Sequence, residues 1–187
     1  FLGNYFNYLS SPFTVLIFLF DKADISFAIT ALVIVKCMAS AVTFTYYLKA
    51  SQKRHSYVSA AFGVFYAFCA YFLAYYWNIM WIDGMILLPL IVLGIEQLVH
   101  NGKGALYTGA LAVLLLSNYY MGYMACIFSV LYFLAYFLMT AKPRPEKSGE
   151  KLTTREKYSA KNLMRHPFLN RCARFAGFSL LAGGLCA

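Results

Sequence analysis

The sequence predicts an all-α, polytopic transmembrane bundle, and three observations predict it. Of 187 residues, 61% are hydrophobic, 19% aromatic and only 12% charged, whereas soluble domains carry roughly 25% charged residues. Apolar runs long enough to cross a bilayer alternate with short polar turns. All the Lys and Arg residues except Lys22 and Lys36 fall in those turns or in one long polar stretch, as positive-inside topology places them. The net charge of +9 therefore reflects topology, so the partner implied is membrane lipid and nucleic acid is excluded. Cys37, Cys69, Cys126, Cys172 and Cys186 lack CxxC spacing and read as free, small hydrophobes with no metal or disulfide role.

Taken in order, Ser11-Pro12 reads as an N-cap followed by a first helical residue. The apolar run Phe13 to Phe20 is too short to span, which makes it a re-entrant or interfacial helix. Five full spans follow: Ile25–Leu48, Ser56–Tyr76, Asp83–Val99, Ala105–Ser117 and Met121–Thr140. The first is about 36 Å long at helical rise. Pro89 in the third frees a carbonyl one turn earlier and predicts a kink. One helix over Ala105 to Thr140 would be about 54 Å long, nearly twice the hydrocarbon thickness, so the chain must reverse near Asn118. The short fourth span is expected to borrow residues from the Gly102–Gly104 turn. Residues 1–140 thus form a bundle within a larger domain, and 141–174 a basic cytoplasmic connection. Thr153-Thr154-Arg155-Glu156 fits a capping box that opens a surface helix there. Residues 175–187 start a truncated sixth span. The chain opens on Phe1 and ends inside an apolar run, so it reads as a fragment.

The basic turns around Lys49–His55, Lys103 and Lys142–Arg174 alternate correctly along the chain and are all assigned to the cytoplasm. The first residues, the tip Tyr75–Met85 and the tip Asn118–Tyr123 then share the outer face. That face gathers Asn4, Tyr8, Trp77, Asn78, Trp81, Asp83, Asn118, Tyr119, Tyr120 and Tyr123. Trp77 and Trp81, four apart, would share a face of a helical end. One reading is an aromatic belt above a solvated turn. The other is a sugar site, because pyranose rings stack on aromatics while amides and carboxylates bond hydroxyls. In that reading Asp83 is the catalytic carboxylate, which takes a hydroxyl proton or holds a divalent cation.

Lys36 lies twelve residues into its span, beyond snorkelling reach of either end. An ionisable residue at such depth faces protein or a wet cavity. It either pairs with a carbonyl or tyrosine of a neighbouring helix, or presents a cation to a lipid phosphate or transported anion.

Trp77-Asn78-Ile79-Met80-Trp81-Ile82-Asp83, then Leu87-Leu88-Pro89-Leu90 and Gly94-Ile95-Glu96, together with Ser117-Asn118-Tyr119-Tyr120-Met121-Gly122-Tyr123, resemble the YfhO family of bacterial multipass membrane proteins. Ser10-Ser11-Pro12 and a lysine in the next span are similar to it as well. The likeness covers about Phe1 to Thr140. It implies a GT-C-type glycosyltransferase that moves a sugar from a polyprenyl-phosphate donor to an extracytoplasmic cell-envelope acceptor such as lipoteichoic acid. The family's main acidic motif is expected in an external loop preceding Phe1. The rival reading is a transporter or flippase of a lipid-linked or anionic substrate, with Lys36 on its path and Pro89 as the helix break. A third reading is a scaffold subunit.

Overall fold

A computed structural model describes residues 11–52, 57–140 and 170–186. The described chain is entirely helical: α1 (Ile25–Gln52), α2 (Tyr57–Ala67), α3 (Ala70–Tyr75), α4 (Ile79–Asn101), α5 (Ala105–Ser117) and α6 (Tyr119–Thr140). A further helix, α7, covers 170–184. Four segments are long and apolar enough to cross a membrane: Lys22–Gln52, Tyr57–Tyr75, Ile79–Asn101 and Tyr119–Thr140. The expected fourth span, α5, has only 13 residues, about 20 Å at helical rise. From the turn before it, it takes only Gly104, the N-cap whose carbonyl accepts the Thr108 N–H at 2.9 Å, while Gly102 is left-handed at φ 69° and ends α4, its N–H donating to Leu98 O. That backbone conformation suits glycine.

α4 is the centre of the bundle. It packs against α1, α5 and α6, and more of it is buried than of any other candidate span. Ile91, Ile95, Leu98 and Val99 meet Tyr107, Leu111, Leu114 and Phe133 in the main core. Gly94 makes this possible, since a Cβ there would lie 2.5 Å from the backbone nitrogen of Tyr107. Without hydrophobic drive between helices in lipid, such close backbone approach through small residues is what holds helices together. The reversal falls at the predicted place. Asn118 alone joins α5 to α6, with φ −157° and ψ 109°, and the two helices pack side by side.

α7 closes the far side of α5 and α6. Phe175 stacks on Tyr107 at 5.4 Å and on Phe133 at 4.4 Å, and Ser179 Oγ lies 2.8 Å from Tyr107 OH. Helical structure is already present at residue 170, so Arg171 and Arg174 belong to this helix and not to a polar connection. The capping box at Thr153–Glu156 lies outside the described residues.

Two elements differ in kind from their expectation. Pro12–Leu19 is a 3-10 helix, and Ser11, although extended as an N-cap should be, makes no capping bond. The second span is broken between α2 and α3 at Phe68-Cys69, without proline or glycine at the break. Around it, Cys37 Sγ reaches Ala67 O at 3.9 Å. The consequence expected of Pro89 is met from this region: Tyr66 OH donates to Met85 O at 2.9 Å, the carbonyl that a proline four residues later leaves without its helical N–H. α4 continues through Pro89.

Candidate functional site

The buried centre of the site is an ion pair. Lys36 on α1 and Asp83 on α4 have side-chain exposures of 1% each, with Nζ 2.8 Å from Oδ1. The ammonium also donates to Ile79 O at 2.9 Å, and the Phe13 ring lies 5.7 Å away. Of the two readings of Lys36, pairing within the protein therefore describes this conformation, with a carboxylate as well as a carbonyl as partner. Lys36 Nζ serves Oδ1, and among the described residues no donor reaches Oδ2. A buried carboxylate oxygen without a donor is costly, by about 1–3 kcal/mol or more, and such groups call for an explanation.

Depth follows from this pairing. Lys36 is level with the first turns of α4, so it belongs to the same end of the bundle as Asn78 and Asp83. The residues before it on α1 extend about 16 Å further at helical rise, with Pro12–Leu19 packed along them. Phe20 meets Phe27 at 5.8 Å, while Phe13 reaches Lys36. The short 3-10 helix thus runs back along α1 and covers the ion pair.

The aromatic tip is tighter than its sequence suggests. Only Tyr76-Trp77-Asn78 lie outside helices, and Asp83 is an interior helical residue instead of part of a turn. Trp77 and Trp81 do not share a helix face: Trp77 is 65% exposed in the turn, its Nε1 donating to Ala74 O, whereas Trp81 is inside α4 with its ring 5.4 Å from Tyr75. Asn78 is buried. Asn118 is 0% exposed, and its Oδ1 accepts the Met121 N–H at 3.0 Å, capping α6. Tyr119, Tyr120 and Tyr123 are exposed. The two tips meet: a Cβ on Gly84, next to Asp83, would lie 2.9 Å from the Met121 methyl. Asn4 and Tyr8 lie outside the described residues. Among the described residues no group of three or more His, Cys, Asp or Glu is placed to hold a metal ion.

A second polar cluster, at the opposite end of α4, was visible in sequence only as a charge inside an apolar run. Glu96 is buried and accepts from Tyr47 OH at 3.1 Å, Ser51 Oγ at 2.7 Å and Tyr132 OH at 2.9 Å. The rule that intramembrane acids face partners would have marked it. Its hydroxyl partners, dispersed over α1 and α6, carry no sequence signal.

A sequence profile described as bacterial membrane protein YfhO matches residues 3–187. This reaches past Thr140 into the basic stretch, where no local motif is visible. The chain is also 35% identical over 72 residues to a Bacillus subtilis (strain 168) protein named "Uncharacterized protein YfhO". That match covers 38% of this chain and 8% of the relative, so the chain is similar to a small part of a much longer protein. No solved structure matches. An all-helical bundle with four candidate spans, the two adjoining tips that carry the motif residues, and a profile match over nearly the whole chain lead to one assignment: the chain belongs to the YfhO family of bacterial membrane proteins.

Proposed function

We propose that this chain is part of a membrane glycosyltransferase that moves a sugar from a polyprenyl-phosphate donor to an extracytoplasmic cell-envelope acceptor such as lipoteichoic acid. The observation that carries the reading is Asp83: a buried carboxylate whose Oδ1 pairs with the Lys36 ammonium at 2.8 Å and whose Oδ2 has no donor among the described residues, where two aromatic tips meet. In the reaction an acceptor hydroxyl oxygen bonds to the anomeric carbon. The bond from that carbon to the phosphate oxygen breaks, its electron pair leaves with polyprenyl phosphate, and the hydroxyl proton passes to a carboxylate. Asp83 serves as that proton acceptor or positions it. The exposed Trp77, Tyr119, Tyr120 and Tyr123, with Trp81, Asn78 and Asn118 beneath, form the sugar platform. Lys36 faces the donor phosphate once the ion pair opens, a step that requires Phe13 and its helix to move aside. A divalent cation would need ligands beyond Asp83.

The test is transfer from a polyprenyl-phosphate-sugar by the full-length protein, at matched amounts of folded protein. Asp83→Asn should lose most transfer, Asp83→Glu should keep part of it, and Trp81→Phe should lose less than Asp83→Asn because a ring remains. Wild-type turnover in Asp83→Asn would leave Asp83 a structural partner of Lys36 and send the search for the base to the loop expected before Phe1.

A transporter or flippase reading is favoured by one observation, the mid-span break between α2 and α3, since broken helices line transport paths. Substrate flux in proteoliposomes without sugar transfer would select it.

A further inference from the structure

The end of the bundle away from Asp83 carries a second feature, independent of the proposed transferase site. The turn after α4 and the start of α7 enclose a cavity of about 280 Å³ lined by His100, Asn101, Gly102, Asn170, Arg171 and Arg174. His100 and Asn101 also line an adjoining polar cavity of about 560 Å³, which adds Lys103. Tertiary packing, not sequence proximity, assembles the corner. The Arg174 guanidinium sits so close to Gly102 that a side chain there would collide with it. Arg171 lies over the Phe137 ring at 5.8 Å. His100 Nε2 is 2.7 Å from Tyr136 OH.

One explanation is that the arginines only neutralise the carbonyl end of α4. That end carries roughly half a negative charge, and Gly102 N–H already bonds Leu98 O. Three full positive charges, on Lys103, Arg171 and Arg174, exceed the demand. The nearby carboxylate, Glu96, already accepts from three hydroxyls and lines only the adjoining cavity. Among the described residues the corner therefore keeps an excess of cationic donors around open space. Next to Phe137, Leu138 and Met139 are exposed apolar residues, an apolar flank along α6 on which an acyl chain can lie.

We propose that this corner binds the phosphate of an anionic phospholipid, with Arg171 and Arg174 as the phosphate donors and the exposed face of α6 receiving the chain. Guanidinium groups hold phosphate oxygens through paired N–H bonds, and basic groups at a membrane surface favour anionic lipids.

The experiment is native mass spectrometry of the purified full-length protein, released from mixed phosphatidylglycerol and phosphatidylcholine micelles. Wild type should retain phosphatidylglycerol preferentially. Arg171→Gln/Arg174→Gln should reduce that retention by about fivefold per arginine, Arg171→Lys/Arg174→Lys should keep most of it, and Lys22→Gln should change nothing. Displacement of the retained lipid by millimolar inorganic phosphate would assign recognition to the phosphate alone, from either source; resistance to it would assign headgroup and chain together. Two results overturn the proposal: no preference for phosphatidylglycerol in wild type, or glutamine variants that retain it as wild type does. Should the glutamine and lysine pairs both lose the lipid together with thermal stability, the arginines are helix-end partners only and the proposal fails.

Discussion

A lysine and an aspartate that are both sealed from solvent are tied to one another by energetics before any chemistry is considered. Taking either charge out of water costs several kcal/mol, and removing one partner from a buried pair typically costs about 3–5 kcal/mol, because the other is left uncompensated. Lys36→Met should therefore destabilise the protein by roughly that amount, although it keeps a side chain of similar length. Lys36→Met combined with Asp83→Leu should recover most of the loss, since apolar replacement of a buried pair is often neutral or better. Thermal unfolding of the purified protein in detergent measures this. Losses that simply add across the two sites would mean that the pair at 2.8 Å is not energetically coupled. The same cycle guards the functional test, because an activity lost with the fold says nothing about the reaction.

At the scale of helices, the contact of Tyr66 with Met85 O ties the break between α2 and α3 to the proline in α4. Tyr66→Phe leaves the Met85 carbonyl without a donor and should cost about 1 kcal/mol, in the range of a lost net hydrogen bond. Pro89→Ala supplies an N–H to that carbonyl from within the helix. In the Pro89→Ala background Tyr66→Phe should cost much less, and an unchanged cost there would show that the hydroxyl does not serve the proline gap. The α4–α5 contact makes a second prediction. Gly94→Ala places a methyl against the backbone of Tyr107, where neither helix can yield by a rotamer change. The expected loss is about 1–3 kcal/mol, as for overpacking a core, whereas Gly109→Ala, in open space, should be tolerated or improve α5 by its helix propensity. Equal melting temperatures for the two variants would refute the close-packing argument.

For the whole molecule, the positive-inside assignment makes a directional prediction that the fold sharpens. Asn78 and Asn118 are buried and poor reporters, but Trp77 and Tyr119 beside them are exposed. In a background without the native cysteines, Trp77→Cys and Tyr119→Cys should react with a membrane-impermeant thiol reagent added outside intact cells, and Gln52→Cys should not. Labelling of Gln52→Cys from outside would invert the orientation and remove the proposed outer site.

Composition and period sufficed for the helical class, for most of the apolar spans and for the reversal at Asn118, because each depends on local quantities: run length against bilayer thickness, and the distribution of charge. The family was legible separately, through the resemblance carried by the contiguous motif residues of the two tips. The level of Lys36 in the bundle was not legible, because a helix read alone gives distance from its own ends and not from its neighbours. Nor was the pairing with Asp83, which is 47 positions away in the chain and is made only when α1 lies against α4. The hydroxyls around Glu96 and the arginines beside Gly102 come from helices separated by long stretches of chain, and no periodicity announces such meetings. Local chemistry along the chain set what must leave water and where the chain can turn; packing between helices set which buried charges face each other, because in an apolar medium each must find its partner across helices.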